Sequence, residues 1–137
     1  MKFPNNYIKK GKFKLHSGEI TDTFYDVNEF LTNMDNLIEV CSFISETRIY
    51  YDTYVGIATG GAIIASQFFD FAMVKDGELT GKVKGKYCLI DDVVTTENSL
   101  KEAIKLVGRK PKDIYVVVDR RKNKTLSVKT VCSVEVC

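Results

Sequence analysis

Tyr87-Cys88-Leu89-Ile90-Asp91-Asp92-Val93-Val94-Thr95-Thr96-Glu97-Asn98-Ser99 decides the fold. Its first four residues are apolar without alternation, which describes a strand buried on both faces. Two acids stop the strand, and a polar, hydroxyl-rich loop follows. Leu100, Ala103, Ile104 and Val107 then recur at helical spacing, with Gly108 and Pro111 to end the helix. Strand, loop and helix in that order form half of a crossover unit.

The same grammar repeats on both sides. Downstream, Ile114-Tyr115-Val116-Val117-Val118 reads as another buried strand ending at Asp119-Arg120, and Val128 to Val136 as a last, half-buried one. Upstream, Tyr54-Val55-Gly56-Ile57-Ala58 is a buried strand that runs into the turn Thr59-Gly60-Gly61, and Ala62 to Phe71 suits a short helix. Met34, Leu37, Ile38, Cys41 and Ile44 predict a helix from Met34 to about Ser45, with Thr32 or Asn33 as its cap. Doubly buried strands alternating with helices predict an α/β fold with a mostly parallel sheet flanked by helices. Ligands of such sheets bind outside the carboxyl ends of the strands. That rule selects Thr59-Gly60-Gly61, Asp91 to Ser99, and Asp119-Arg120.

A chain of 137 residues suits one domain, 1–137. Hydrophobic residues at 45% and charged residues at 28% exclude wholesale disorder. A formal charge of +2 is too small to announce nucleic-acid binding. No apolar run approaches a membrane span, and Met1 to Asn6 lacks the apolar core of a signal peptide, so the expected compartment is the cytoplasm. Cys41, Cys88, Cys132 and Cys137 form no CxxC pair, and His16 is the only histidine, which argues against structural zinc. The basic run Arg120, Arg121, Lys122 and Lys124 reads, for most of its members, as a solvated turn.

The loop after Ile90 carries the chemistry. A loop entering a helix offers free N–H groups and the positive end of the helix dipole, and the hydroxyls of Thr95, Thr96 and Ser99 add donors. That makes a phosphate cradle. Asp91 and Asp92 are acceptors, suited to two ribose hydroxyls or to the waters of a bound magnesium. A phosphate site beside a diol site describes a ribose 5-phosphate.

Residues 88–99 resemble the phosphoribosyl-pyrophosphate motif of type I phosphoribosyltransferases. Further segments resemble orotate phosphoribosyltransferases in particular. Gly11-Lys12-Phe13-Lys14-Leu15-His16-Ser17-Gly18 with Phe24-Tyr25-Asp26 resembles the family's N-terminal hood, about residues 1–30. Val55 to Ala62 resembles its pyrophosphate loop, and Val117-Val118-Asp119-Arg120 the strand end bearing an orotate-contacting arginine. The resemblance implies transfer of ribose 5-phosphate from phosphoribosyl pyrophosphate to a base, with a pyrimidine, orotate, as the expected acceptor. It implies Mg²⁺ as cofactor and a homodimer as the assembly. Asp91 and Asp92 would hold the ribose hydroxyls and, through water, the metal. Thr95, Thr96, Glu97, Asn98 and Ser99 would surround the 5-phosphate. Ala58, Thr59, Gly60 and Gly61 would hold pyrophosphate through backbone groups. Phe24 and Tyr25 would flank the base, and Arg120 would meet its carbonyl or carboxylate. Lys75, Lys82 and Lys84 would supply positive charge to the leaving pyrophosphate, and His16 would donate to a phosphate.

The chain departs from the family at three places. Glu97 stands where glycine is usual, and a carboxylate beside a dianion predicts weaker phosphate binding. The segment Asp76 to Lys86 is short, lacks a histidine, and suits a mobile connection or a plain hairpin. His16 and Glu19 stand where basic residues are common. These departures keep a second expectation open, a phosphoribosyl-pyrophosphate or nucleotide-binding module without catalysis.

Overall fold

The structure is a computed structural model that describes residues 1–15, 18–46 and 49–134. A single 3₁₀ turn (Asn5–Tyr7) leads into β1 (Ile8–Lys14), which pairs antiparallel with β2 (Ile20–Tyr25) as a separate two-stranded sheet. Two helices follow, α1 (Val27–Leu31) and α2 (Met34–Glu46). Asp26 caps α1, its carboxylate accepting from Glu29 N at 3.1 Å. Asn33, the second of the two expected caps, closes α2 by accepting from Asp35 N at 2.9 Å.

The remaining chain builds a six-stranded sheet. Its elements are β3 (Thr53–Ile57), α3 (Gly60–Ala65), β4 (Phe71–Lys75), β5 (Glu78–Thr80), β6 (Tyr87–Val94), α4 (Asn98–Val107), β7 (Asp113–Asp119) and β8 (Lys129–Thr130). The spatial order is β5-β4-β3-β6-β7-β8. Every neighbour pair is parallel except β4 and β5, which form an antiparallel hairpin. The expected α/β architecture is therefore present. The most central strands are the apolar ones: Val55, Leu89, Ile90, Val116 and Val117 are all at most 1% exposed.

The two faces of the sheet carry separate cores. One collects Cys88, Ile90, Tyr115 and Val117 beneath Phe3, Phe30, Val40, Ile44 and Ile64 from the N-terminal segment and α1 to α3. The other collects Val55, Leu89 and Val116 beneath Leu100 and Ala103 of α4. Alternate residues of β6 feed opposite cores, as the two-residue period of a strand requires. Gly108, at φ +89°, ends α4 in the left-handed conformation that glycine tolerates.

Two expected elements differ. The helix expected to reach Phe71 stops at Ala65, because Phe71 pairs with Tyr54 and opens β4. Of the strand expected from Val128 to Val136, the described residues form Lys129–Thr130 and then an isolated bridge from Ser133 to Lys2, while Glu135 and Val136 lie outside the described residues. That bridge ties the start of the chain to the sheet, with Phe3 N donating to Ser133 O at 3.0 Å.

Candidate active site

A cavity of about 770 Å³ lies along the carboxyl edge of β3, β4 and β6. Its lining comes from distant parts of the sequence. Phe24, Tyr25, Asp26 and Asn28 come from the end of β2 and the start of α1. Ala58 and Thr59 follow β3, and Lys75, Asp76 and Gly77 follow β4. Asp91, Asp92, Thr95, Thr96, Asn98 and Ser99 follow or end β6, and Arg120 follows β7. The size is that of a small-molecule site.

Asp91 is only 6% exposed. Its Oδ1 accepts from Asp92 N at 2.8 Å, and Asp92 Oδ1 accepts from Val93 N at 2.7 Å. Burial first, and the neighbouring Asp92 carboxylate second, push the Asp91 carboxyl well above its ordinary value. Adjacent carboxylates lining an open cavity are acceptors whose chemistry suits a cation or hydroxyl donors.

The wall formed by Phe24, Tyr25 and Arg120 is equally defined. Arg120 donates from Nη1 to Thr23 O at 3.1 Å, and its guanidinium lies 4.8 Å from the centre of the Tyr25 ring. Tyr25 in turn meets Phe3 edge-on at 5.7 Å. Phe24 packs on Phe13, with ring centres 5.3 Å apart, yet stays 37% exposed towards the cavity. The N-terminal hairpin is thus fastened over the end of β7 by the same arginine that lines the site.

Gly60 and Gly61 are buried and do not line the cavity, unlike Ala58 and Thr59. A Cβ at Gly61 would stand 2.1 Å from Ile90 O, and one at Gly60 would stand 2.7 Å from Asp92 Cβ and 2.8 Å from Asn28 Oδ1. These glycines serve the close approach of the loop to β6, a different reason from direct ligand contact. The peptide between Ala58 and Thr59 is cis.

Lys82 and Lys84 are a correction. They were expected at the leaving-group side, but β5 runs antiparallel to β4 and carries the chain back down the sheet. Lys84 N then donates to Thr53 Oγ1 at 2.8 Å, at the amino end of β3. Neither lysine lines the cavity at the carboxyl edge. The segment Asp76 to Lys86 is a hairpin with a pinned return, since Lys86 N also donates to Asp52 Oδ2 at 2.8 Å. Lys75 alone of the three lines the cavity.

Glu97 is the second correction. Its carboxylate is turned away from the cavity and is fully engaged elsewhere. Glu97 Oε2 accepts from Arg121 Nη1 at 2.7 Å, Thr125 N at 2.8 Å and Leu126 N at 2.9 Å, while Oε1 accepts from the Thr125 hydroxyl. The N–H of Leu126, then the Thr125 hydroxyl, hold its carboxyl well below the usual range. Arg121, expected in a solvated turn, is 8% exposed and forks onto Asp119, Nε to Oδ1 and Nη2 to Oδ2, each at 2.9 Å. Burial works against Asp119, yet the Arg121 hydrogen bonds hold its carboxyl below the ordinary value. Arg121 and Glu97 thus brace the turn after β7.

His16 lies outside the described residues. Lys14, Asp26, Asn28, Asp76 and Glu102 line the cavity without having been singled out from the sequence. Asp26 carried the one available signal, as the cap of a helix start directly after Phe24-Tyr25.

No protein-family model matches the chain. Curated relatives do. An orotate phosphoribosyltransferase from Methanopyrus kandleri is 31% identical over 131 residues, covering 83% of this chain and 72% of that protein. The transcriptional regulator GfcR from Methanocella arvoryzae is 32% identical over 123 residues, covering 70% of this chain and 58% of the regulator. Among solved structures, orotate phosphoribosyltransferase from Aeropyrum pernix superposes with a TM-score of 0.67 at 23% identity, covering 84% of this chain and 77% of that one. The chain spans between 58% and 73% of the length of such curated relatives. The fold is the phosphoribosyltransferase fold, with its cavity at the carboxyl edge of the parallel strands. At 31% identity over 72% of the Methanopyrus protein, the chain belongs to the orotate phosphoribosyltransferase family.

Proposed function

We propose that the chain is a glycosyltransferase that moves the ribose 5-phosphate group of phosphoribosyl pyrophosphate onto orotate, a step of pyrimidine nucleotide synthesis. A ring nitrogen of the base, having lost its proton to solvent, attacks the anomeric carbon, the bond from that carbon to the pyrophosphate oxygen breaks, and pyrophosphate leaves with the electron pair. One observation carries the reading. A hydroxyl-rich loop at a helix start, two carboxylates, a lysine, and an aromatic–arginine wall converge on one cavity from four segments of the chain.

Each role follows from chemistry. Thr95, Thr96, Asn98 and Ser99 hold the 5-phosphate through hydroxyls and the N–H groups that open α4. Asp91 and Asp92 accept from the ribose hydroxyls. Ala58 and Thr59 line the pyrophosphate side, and Lys75 supplies charge to the leaving group. Phe24 and Tyr25 offer apolar faces to a flat ring, and Arg120 offers a planar fork to its carboxylate. Mg²⁺ fits the donor set. Asp91 and Asp92 are hard oxygen donors and would hold the ion directly or through water. When bound, the ion neutralises charge on the departing pyrophosphate.

Residues 1–137 act as one domain in this reading, with about residues 1–30 as its hood. Tyr50, Phe69 and Phe71, 87%, 94% and 45% exposed near the amino ends of β3 and β4, favour a homodimer. The cytoplasm is the compartment that suits free Cys41, Cys88 and Cys132, whose thiols burial pushes up, to about 11 for Cys41 and Cys132. No described helix is long and apolar enough to cross a membrane.

The test is pyrophosphate release from magnesium and phosphoribosyl pyrophosphate, with orotate, uracil and purine bases offered in parallel. Release with orotate alone is expected. The similarity to a transcriptional regulator favours one other reading, a ligand-responsive module. Under it, phosphoribosyl pyrophosphate raises the melting temperature while no base yields pyrophosphate.

A further inference from the structure

Glu97 occupies a place in the phosphate loop where this family usually has glycine, yet its side chain is the most heavily bonded carboxylate described. It reaches out of the loop to Arg121, Thr125 and Leu126, residues 24 to 29 positions downstream. Arg121 passes the contact on. It forks onto Asp119, and its own N–H donates to Asp119 Oδ1 at 3.0 Å. Arg120 lies between the two partners of that fork. Its backbone N–H is held by Val94 O at 2.8 Å, at the end of β6, and its side chain leaves in another direction, to Tyr25 and Thr23 O.

We infer that Glu97 is a positioning residue that joins the 5-phosphate loop to the base-side Arg120 as one rigid unit, so that it sets the affinity for both substrates. This rests on the phosphoribosyltransferase reading. The physical logic has two parts. A glycine in the loop leaves its conformation to be fixed by the ligand, and that ordering cost weakens binding. A glutamate anchored by charge-assisted hydrogen bonds fixes the loop beforehand. The same anchor holds the turn from Arg121 to Leu126, and with it the backbone that aims Arg120. A brace that merely stabilises the fold would affect unfolding and nothing else.

Steady-state kinetics and calorimetric titration on E97G, E97Q and T125V separate these possibilities, with each variant assayed well below its own melting temperature. In E97G, KM for phosphoribosyl pyrophosphate and KM for orotate are both expected to rise roughly tenfold, with kcat changed less. E97Q, which keeps an acceptor for Leu126 but loses the ion pair, is expected to fall between wild type and E97G. Should E97G not fold, E97Q and T125V carry the test. Unchanged KM values, with only the melting temperature lowered, overturn the inference. A rise confined to one substrate also overturns it, because the two ends would then be uncoupled. If wild-type protein releases no pyrophosphate with orotate, the functional reading fails separately. Titration of magnesium phosphoribosyl pyrophosphate into wild type and E97G then decides: weaker binding by E97G supports the positioning role, and equal binding overturns it.

Discussion

Two acidic clusters lie a few residues apart and behave in opposite ways. Asp91 and Asp92 sit side by side on the cavity wall, and the hydrogen bonds seen at their oxygens come from neighbouring backbone N–H groups. Burial and mutual repulsion hold the Asp91 carboxyl above its ordinary value. Glu97 and Asp119 share one buried arginine and a set of N–H donors, and both carboxyls are held below their ordinary values. The first pair lines the cavity, and the second is held by an arginine and N–H donors and does not line it. What the carboxylate faces, a cavity and a like charge or a guanidinium and N–H donors, separates the two clusters, and acidity or burial alone does not.

Replacing Asp91 and Asp92 together with asparagine tests the first half of that contrast. Pyrophosphate release is expected to drop on the order of 10³-fold, with circular dichroism unchanged. Activity retained in this variant would make the pair structural. Next in size, Arg121→Ala strands two carboxylates in a buried setting and is expected to lower the melting temperature by about 10 °C in scanning calorimetry. A drop within 2 °C, on the scale of an exposed ion pair, would place the arginine in solvent.

The single change Asp91→Asn is expected to do the reverse, raising the melting temperature at neutral pH by about 4 °C while activity falls. Asparagine keeps the acceptor for Asp92 N and removes the buried charge. The smallest effect is in pH dependence, and its signs differ between the clusters. Glu97 and Asp119 have depressed values, so their stabilisation is present above the ordinary values of 4.5 and 3.8 and is lost as pH falls below them. Asp91 is raised, so the folded state holds its proton more tightly and loses stability as pH rises above 3.8. Melting curves between pH 7 and pH 3 should therefore be flatter for Arg121→Ala and steeper towards acid for Asp91→Asn, each relative to wild type.

The sheet could be read from the sequence because its strands are apolar on both faces and end in acids or glycines. Asp91 to Ser99 could be read for the same reason: strand end, loop and helix start are contiguous. What failed were features set by pairing across distance. β5 is only Glu-Leu-Thr, too short to show periodicity, so nothing warned that Lys82 and Lys84 would be carried to the wrong end of the sheet. Glu97 looked like a charge beside a phosphate because its partners lie beyond an intervening helix and strand. Arg121 was hidden in a basic run whose other members are at least partly exposed.

Gly60 has a consequence for how this sequence can change over generations. A side chain there would strike Asp92 and Asn28 together. Positions 60, 92 and 28 are therefore not free to drift one at a time. As long as Asp92 is kept, position 60 is locked to glycine. Because the atom struck at position 92 is Cβ, exchanging the acid for any residue but glycine leaves the constraint on position 60 in place.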